Sequence, residues 1–119
     1  MLPAQNRMTR STEFAATVRY GVRAAQPDLV VHARRDREAA GHSPHVGFVV
    51  GKSVGGAVER NRVARRLRHA ARTVVGELQP GESIVVRALP GSRHALTARL
   101  RDQLHAALRK VHNLMERDR

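Results

Sequence analysis

The stretch from Lys52 to Arg72 constrains the fold of this chain more than any other segment. Apolar residues recur at i, i+4, i+7 and i+11 in its second half and just beyond it, at Val63, Leu67, Ala70 and Val74, which is the spacing of one face of an α-helix. Seven residues of the stretch are basic and only Glu59 is acidic. We therefore predict a helix that buries a narrow aliphatic stripe and carries positive charge on its remaining surface.

The polar side chains of this helix fall into two rows. At about 100° per residue, the row opposite the apolar stripe contains Asn61, Arg65, Arg68 and Arg72. The row beside it contains Arg62, Arg66 and His69. Guanidinium groups bind phosphates through paired hydrogen bonds and stay charged at any working pH. Because the whole chain also carries a net charge of +12, a nucleic acid or another polyanion is the expected partner.

Length and composition predict a single domain over residues 1–119. A chain of this length can build one hydrophobic core without covalent cross-links. It has no cysteine, which suits a reducing compartment. No secretory signal is recognisable, and no segment approaches the roughly 20 apolar residues of a membrane helix. We therefore expect a cytoplasmic protein with no membrane association, whose polar residues 1–10 are flexible.

Periodicity and turn residues divide the rest of the chain into further helices and strands. A short helix is expected between Ser11 and Gly21. Strands are expected at residues 29–32, 45–50 and 83–88, followed by a last helix capped by Ser92. Because the run at 45–50 is almost continuously apolar, we expect both of its faces to be covered. This order predicts an α+β sandwich, in which base rates favour a right-handed crossover through the basic helix.

Side chains that could carry out catalysis or bind a metal form no recognisable pattern. Seven histidines are scattered, and none falls in an HExxH or similar helical spacing. The ten acidic residues never cluster, so a two-carboxylate or two-metal site lacks its ligands. Glycines at 51, 55 and 56 are expected to form the turn into the basic helix, where their N–H groups could also face a phosphate. We assign no catalytic residue and no metal site to the protein.

The segment from Lys52 to Arg68, with Arg-Asn-Arg at residues 60–62, closely resembles the signature of the bacterial ribonuclease P protein subunit. Shorter matches flank it at Asn6-Arg7-Met8, Glu13-Phe14, Val46-Gly47-Phe48, Ile84-Val85-Val86 and Pro90-Gly91. The resemblance implies that family's fold, an αβββαβα sandwich with a four-stranded sheet. It also implies a left-handed crossover through the Arg-rich helix, and we adopt this hand in place of the right-handed one.

The resemblance also implies a function. In that family the protein assists a catalytic RNA subunit that removes the 5′ leader of precursor tRNA by endonucleolytic hydrolysis. The catalytic groups and the required Mg²⁺ are expected on the RNA, so the protein alone is not expected to cleave. Its partners would be the RNA subunit and precursor tRNA, with no obligate protein partner. The residues expected to bind RNA are Lys52, Arg60, Asn61, Arg62, Arg65, Arg66, Arg68 and Arg72.

The family holds the single-stranded leader in a cleft across its sheet. The positions of this chain assigned to that cleft are Phe14, Val18, His32, Phe48 and Arg87. Val18 and His32 stand where aromatic residues are usual, so base stacking, worth roughly 1–3 kcal/mol per base, is expected to contribute little. Phe14 could equally be a residue of the hydrophobic core. We expect leader binding to depend on charge and on backbone contacts.

Two other functions remain open from the sequence. A basic ribosomal or other structural RNA-binding protein without a nuclease role would share the charge. It would not need this order of glycine turn, Arg-Asn-Arg helix and flanking strands. A DNA-binding module could place an arginine-rich helix in the major groove. Neither a dimerising heptad nor a helix-turn-helix partner accompanies the helix, which disfavours the DNA-binding alternative.

Overall fold

A computed structural model describes residues 2–36 and 41–117 of the chain. Its helices are α1 (Ser11–Tyr20), α2 (Ala57–Ala71) and α3 (Thr97–Arg117), and its strands are β1 (Val22–Ala25), β2 (Leu29–Arg35), β3 (His45–Val49) and β4 (Glu82–Ala88). Short 3-10 turns lie at Ala4–Asn6, Val75–Glu77 and Pro90–His94. The αβββαβα order implied by the resemblance is therefore confirmed.

The four strands form one sheet in the order β1-β2-β4-β3. Strand β2 runs antiparallel to both β1 and β4, whereas β3 and β4 are parallel neighbours. The chain between β3 and β4 contains α2, so the basic helix is the crossover connection of a parallel pair. The left hand of this crossover stays a prediction.

Helices α2 and α3 cover one face of the sheet and form the hydrophobic core with it. The apolar stripe predicted for α2 is buried there, as are the sheet residues that alternate towards the same side, among them Leu29, Val31, Ile84 and Val86. Helix α3 contributes its own buried row, which is Leu100, Leu104, Ala107, Leu108 and Val111. Packing on this side fixes which residues of every strand point to the opposite face.

Two elements differ from the sequence predictions. Strand β1 is the additional strand that the resemblance implies, but periodicity does not locate it, because Val22–Ala25 is short and alanine-rich and becomes a strand through its pairing with β2. Ser92 does not cap the last helix. It lies in the 3-10 turn that Pro90 begins, where its hydroxyl donates to the Leu89 carbonyl oxygen at 2.6 Å. Helix α3 begins later, at Thr97.

The N-terminal segment packs against the sheet, contrary to the expectation that it is flexible. Leu2, Asn6 and Met8 are buried. The Asn6 side-chain amide donates to the Pro44 carbonyl oxygen at 2.9 Å, and the Met8 backbone N–H donates to that of Val46 at 3.0 Å. Because most residues of this segment are polar, its composition does not indicate that these three are buried. Met1 lies outside the described residues.

The glycine-bearing turn before α2 directs the chain from β3 into the basic helix. Gly55 has a φ of +154°, and a Cβ atom at this position would overlap the Glu59 carboxylate. Only glycine fits both conditions without strain. Buried Val54 anchors the same turn to the core. The expectation of a turn at these glycines is confirmed, and the turn sets where α2 begins.

Candidate nucleic-acid interface

The outward face of α2 and its C-terminal end form a predominantly basic surface. Its exposed members, which we call the arginine face, are Asn61, Arg62, Arg65, Arg68 and Arg72. The one acid of the helix, Glu59, forms an ion pair with Arg93 at 3.3 Å. Among the described residues, no ion pair involves the arginines of this face. Their charges repel one another and attract polyanions, since none of the described acids forms an ion pair with them.

Three other residues expected to bind RNA have different surroundings. Lys52 is exposed in the turn that precedes α2. Arg66 is half-buried, and its Nη1 donates to the Ala95 carbonyl oxygen at 3.1 Å, which ties α2 to the segment before α3. Arg60 is also half-buried, and its enclosed Nε has no hydrogen-bond partner among the described residues. Arg60 and Arg66 therefore pack against the protein with at least part of the guanidinium group.

The second surface is the face of the sheet that α2 and α3 leave uncovered. Helix α1 lies against it through Thr17, which is fully buried. The pairing register places Arg23, His32 and Arg87 on this face, because His32 pairs with Arg23 and Arg87 is two residues from the His32 partner Val85. We call the channel between this strand surface and α1 the cleft.

Phe14 lies in the cleft, directly on the sheet. A Cβ atom at Gly47 would overlap the Phe14 ring, so the ring occupies the space that a side chain on β3 would fill. Val18 follows one helical turn later on α1 and is 46% exposed. Four of the five expected cleft residues, Phe14, Val18, His32 and Arg87, are therefore brought to one face.

Phe48 is the exception, and its assignment to the cleft is wrong. It pairs with Val86, a core residue, and packs against the hydrophobic cluster beneath α2 and α3. Successive strand residues point to opposite faces, so Gly47 and Val49 face the cleft while Val46 and Phe48 face the core. The parity of this strand was not readable from the sequence, because residues of both faces are apolar.

His32 is a buried histidine in the cleft. Desolvation lowers its pKa below the ordinary 6.5, and the positive charges of Arg23 and Arg87 lower it further. The imidazole is therefore neutral at pH 7. A neutral imidazole has one donor nitrogen and one acceptor nitrogen, so His32 can hydrogen-bond to a base or a sugar as well as to a phosphate.

The sequence analysis missed three residues of the cleft, which are Arg23, Val30 and Val49. Arg23 was missed together with strand β1. Val49 was expected to be covered, yet it points to the cleft side of β3 and is 39% exposed. Alternation counted from His32 along β2 could have identified Val30, whereas Arg23 and Val49 reach this face through strand pairing that the sequence does not reveal. The cleft floor is consequently more aliphatic and more basic than the aromatic pattern suggested.

Features of other site classes do not appear in the described part of the chain. Within residues 2–36 and 41–117, no three side chains of metal-binding type come together. No helix there is long and apolar enough to cross a membrane. The arrangement presented to solvent is therefore a basic helix face on one side of the molecule and a basic, partly apolar cleft on the other.

Relatives of high identity carry a common name. The chain is 63% identical over 113 residues to the "Ribonuclease P protein component" of Mycobacterium avium, covering 93% of this chain and 95% of that protein. It is 57% identical over 120 residues to the protein of the same name from Mycobacterium ulcerans, with both chains covered completely.

Solved structures share the fold at low sequence identity. The Staphylococcus aureus RNase P protein superposes with a TM-score of 0.75 at 22% identity, covering 87% of this chain and 93% of that one. The RNase P protein from Thermotoga maritima gives a TM-score of 0.70 at 22% identity, covering 84% of this chain and 92% of that one.

The Ribonuclease P family profile matches residues 2–112, nearly the whole chain. The chain therefore belongs to the Ribonuclease P protein family and is a protein subunit of the bacterial enzyme.

Proposed function

We propose that the protein binds the catalytic RNA of ribonuclease P through the arginine face of α2 and holds the 5′ leader of precursor tRNA in the cleft. The two surfaces lie on opposite sides of the sheet, because α2 packs on one face and α1 on the other. One protein can therefore contact the RNA subunit and the substrate at the same time. This arrangement would position the leader relative to the catalytic RNA.

The observation that carries the RNA-subunit proposal is the unneutralised charge of α2. Arg62, Arg65 and Arg68 are exposed within two helical turns and have no acidic partner among the described residues. A planar guanidinium matches two phosphate oxygens, and each neutralised phosphate releases condensed counterions. Asn61 adds an amide that can both donate and accept a hydrogen bond. Together these groups suit a folded RNA whose phosphates approach from several directions.

The cleft suits a single strand better than a duplex. Its charged members, Arg23 and Arg87, stand on strands at either side of buried His32. Phe14 offers one aromatic ring, and Val18 and Val49 offer apolar surface for sugars and base faces. With one ring in the cleft, leader binding would depend mainly on phosphate contacts and on the His32 hydrogen bond. Sequence preference for the leader would consequently be weak.

We assign the hydrolysis of the phosphodiester to the RNA subunit and its Mg²⁺ ions. Several of the described acids already have basic partners and are therefore less available to a metal ion. Asp28 pairs with Arg99, Glu59 with Arg93, and Glu77 with His105, each within 3.3 Å. The protein would instead lower the repulsion between substrate and RNA subunit, and so reduce the Mg²⁺ concentration that the reaction needs.

Reconstitution with the cognate RNA subunit tests this proposal. Purified protein should allow the RNA to cleave precursor tRNA at a Mg²⁺ concentration where the RNA alone is inactive. Protein freed of RNA by nuclease treatment should not cleave. Cleavage by such an RNA-free preparation, or an RNA subunit indifferent to the added protein, would contradict the proposal. The alternative of a ribosomal or other structural RNA-binding protein gains no support from the relatives.

A further inference from the structure

A second groove runs along the other flank of α1. It has a volume of about 700 Å³, within the range of about 300–1,000 Å³ typical of ligand sites. Its basic and histidine side chains come from the N-terminal segment, from the end of β2 and from the residues that lead into β3: Arg7, Arg10, Arg34, His42 and His45. None of these residues belongs to the arginine face of α2 or to the cleft.

Helix α1 separates this groove from the cleft. Phe14 and Val18 share one flank of the helix, whereas Glu13, Ala16 and Tyr20 recur at the helical spacing of another flank. Glu13 and Ala16 line the groove. On the sheet, Arg34 pairs with Ser83, and Ser83 pairs with His45, which forms the strand row beneath this second flank. Buried Thr17 lies between the two flanks, so the channels are distinct.

The arginines of the groove keep their charge available. Three acids also line it, but Glu13 accepts from the Ser83 hydroxyl at 2.7 Å and lies 3.0 Å from His45 Nδ1. Glu82 is buried against Arg35 and His112, and Asp36 likewise has a partner.

Among the described residues, no ion pair involves the exposed Arg10 or Arg34. These two guanidinium groups are therefore available to bind an anion.

An exposed aromatic ring contacts one of the arginines that line the groove. Tyr20 is 67% exposed, and the guanidinium carbons of Arg19 and Arg34 lie 5.4 and 5.9 Å from its ring centroid. Arg34 thus both lines the groove and contacts the ring. Basic residues beside an exposed ring are the combination that binds single-stranded nucleic acid, through phosphate contacts and base stacking.

We infer that this groove is a second site for single-stranded RNA, with Arg10 and Arg34 on phosphates and Tyr20 stacked on a base. The inference rests on the proposed RNA-binding function and extends it to a surface that the signature helix and the leader cleft do not include. The strand could come from leader nucleotides beyond the cleft or from an unpaired segment of the RNA subunit. Both sources offer the same chemistry.

Precursor tRNAs with two leader lengths distinguish these sources in the reconstituted holoenzyme. We would use leaders of about 4 and about 16 nucleotides, the range of single-strand site sizes for a small domain. The variants are Arg10→Ala/Arg34→Ala and Tyr20→Ala, with Tyr20→Phe to keep the ring and Arg109→Ala as the control on exposed α3 surface. Circular dichroism would verify folding, and fluorescence would give affinities for each precursor and for the RNA subunit.

If the strand is the distal leader, the double variant and Tyr20→Ala should each weaken binding of the long-leader precursor by about tenfold and leave the short-leader precursor unchanged. Tyr20→Phe should retain binding. If the strand belongs to the RNA subunit, the same variants should weaken RNA-subunit affinity equally with either precursor. Variants that match Arg109→Ala in every affinity would overturn the inference. If the proposed function itself is wrong, wild-type protein will not assist the RNA subunit in cleaving precursor tRNA, and this result is independent of the groove variants.

Discussion

Arginine occurs in two contrasting environments in this protein. On α2, Arg62, Arg65 and Arg68 point to solvent without an acidic partner among the described residues. On α3, the Arg99 Nε donates to the Asp28 Oδ2 at 2.7 Å, and the Gln103 amide donates to the same oxygen at 2.7 Å. Asp28 is buried, and its backbone N–H donates to the Gln103 Oε1 at 2.9 Å. The α2 guanidinium groups are available to a ligand, whereas the Arg99 guanidinium ties α3 to the turn between β1 and β2.

The difference separates charge that maintains the fold from charge that binds a partner. Burial alone would raise the pKa of Asp28, but hydrogen bonds from Gln103 and Arg99 and the positive charge of Arg99 more than offset this, so the pKa lies below its ordinary value. The carboxylate is therefore stabilised in its charged form by the fold. Removing an arginine should cost stability at one site and RNA affinity at the other.

The largest expected effect is the loss of the buried carboxylate. Asp28→Ala should lower the free energy of unfolding by about 3 kcal/mol, because Gln103 and Arg99 lose their acceptor in a buried setting. Urea denaturation measures this. Asp102→Ala removes an exposed acid from α3 and should change stability by less than about 0.5 kcal/mol. Equal stability of the two variants would show that the Asp28 cluster does not hold the fold.

A smaller loss of stability is expected from the partner of Asp28. Arg99→Ala should cost about 1 kcal/mol, since its side chain is mostly exposed and Gln103 still satisfies the carboxylate. Its affinity for the RNA subunit, measured where the variant is folded, should equal that of wild type. From the sequence alone Arg99 looks like a neutral control for α2, and the structure shows that Arg109 is the better choice. A weakened RNA affinity in folded Arg99→Ala would contradict the assignment of Arg99 to the fold alone.

In the cleft, a positive charge on His32 would destabilise the fold, and we expect an effect of intermediate size. The pKa of His32 is lower in the folded protein than in the unfolded chain, where it is about 6.5. As the pH falls below about 6.5, His32 therefore takes up a proton in the unfolded chain before it does so in the folded protein, and the free energy of unfolding declines until the pH has passed the folded pKa. Denaturation at about pH 7.5 and about pH 5 should show this decline in wild type. His32→Gln should reduce it, whereas His69→Gln, exposed on α2, should not. An undiminished decline in His32→Gln would contradict the assignment.

The smallest effect is the response of the arginine face to simple anions. Sulfate should raise the melting temperature more than chloride at equal ionic strength, by about 2–5 °C, because it binds the clustered guanidinium groups of the folded state. Sulfate also stabilises proteins in general because it is excluded from their surfaces, so variants are needed to separate this effect from specific binding. Arg65→Ala should reduce the excess shift, and Arg109→Ala should retain it. The same excess in both variants would exclude an anion site on α2.

Helix α2 was predictable because its signal is repeated. Four apolar residues at helical spacing and seven basic residues indicate a helix in the same stretch, and the structure buries the former and exposes most of the latter; α2 ends at Ala71, so Val74 is buried just beyond it. Strand β1 was not predictable in the same way. Its four residues become a strand only beside β2, and with it Arg23 joins the cleft.

Contacts between distant parts of the chain were not accessible from the sequence. Asp28 and Gln103 are 75 residues apart, and neither belongs to a recognisable pattern. Phe48 was misassigned because a strand with apolar residues on both faces does not reveal its parity, and the pairing with Val86 decides it. The groove beside α1 is likewise assembled from distant parts of the chain, because its arginines come from the N-terminal segment and from β2 and its histidines from the segment at β3.

The salt dependence of RNA-subunit binding tests the role of the arginine face most directly. The logarithm of affinity should fall linearly with the logarithm of salt concentration, with a slope of about −0.7 to −0.9 per phosphate contact. Arg65→Ala should weaken binding and flatten the slope by roughly one contact, while Arg109→Ala should leave both unchanged. Arg65→Lys should restore most of the slope and only part of the affinity, since the charge returns without the planar fork. If folded Arg65→Ala and Arg109→Ala both behave as wild type, the arginine face does not bind the RNA subunit.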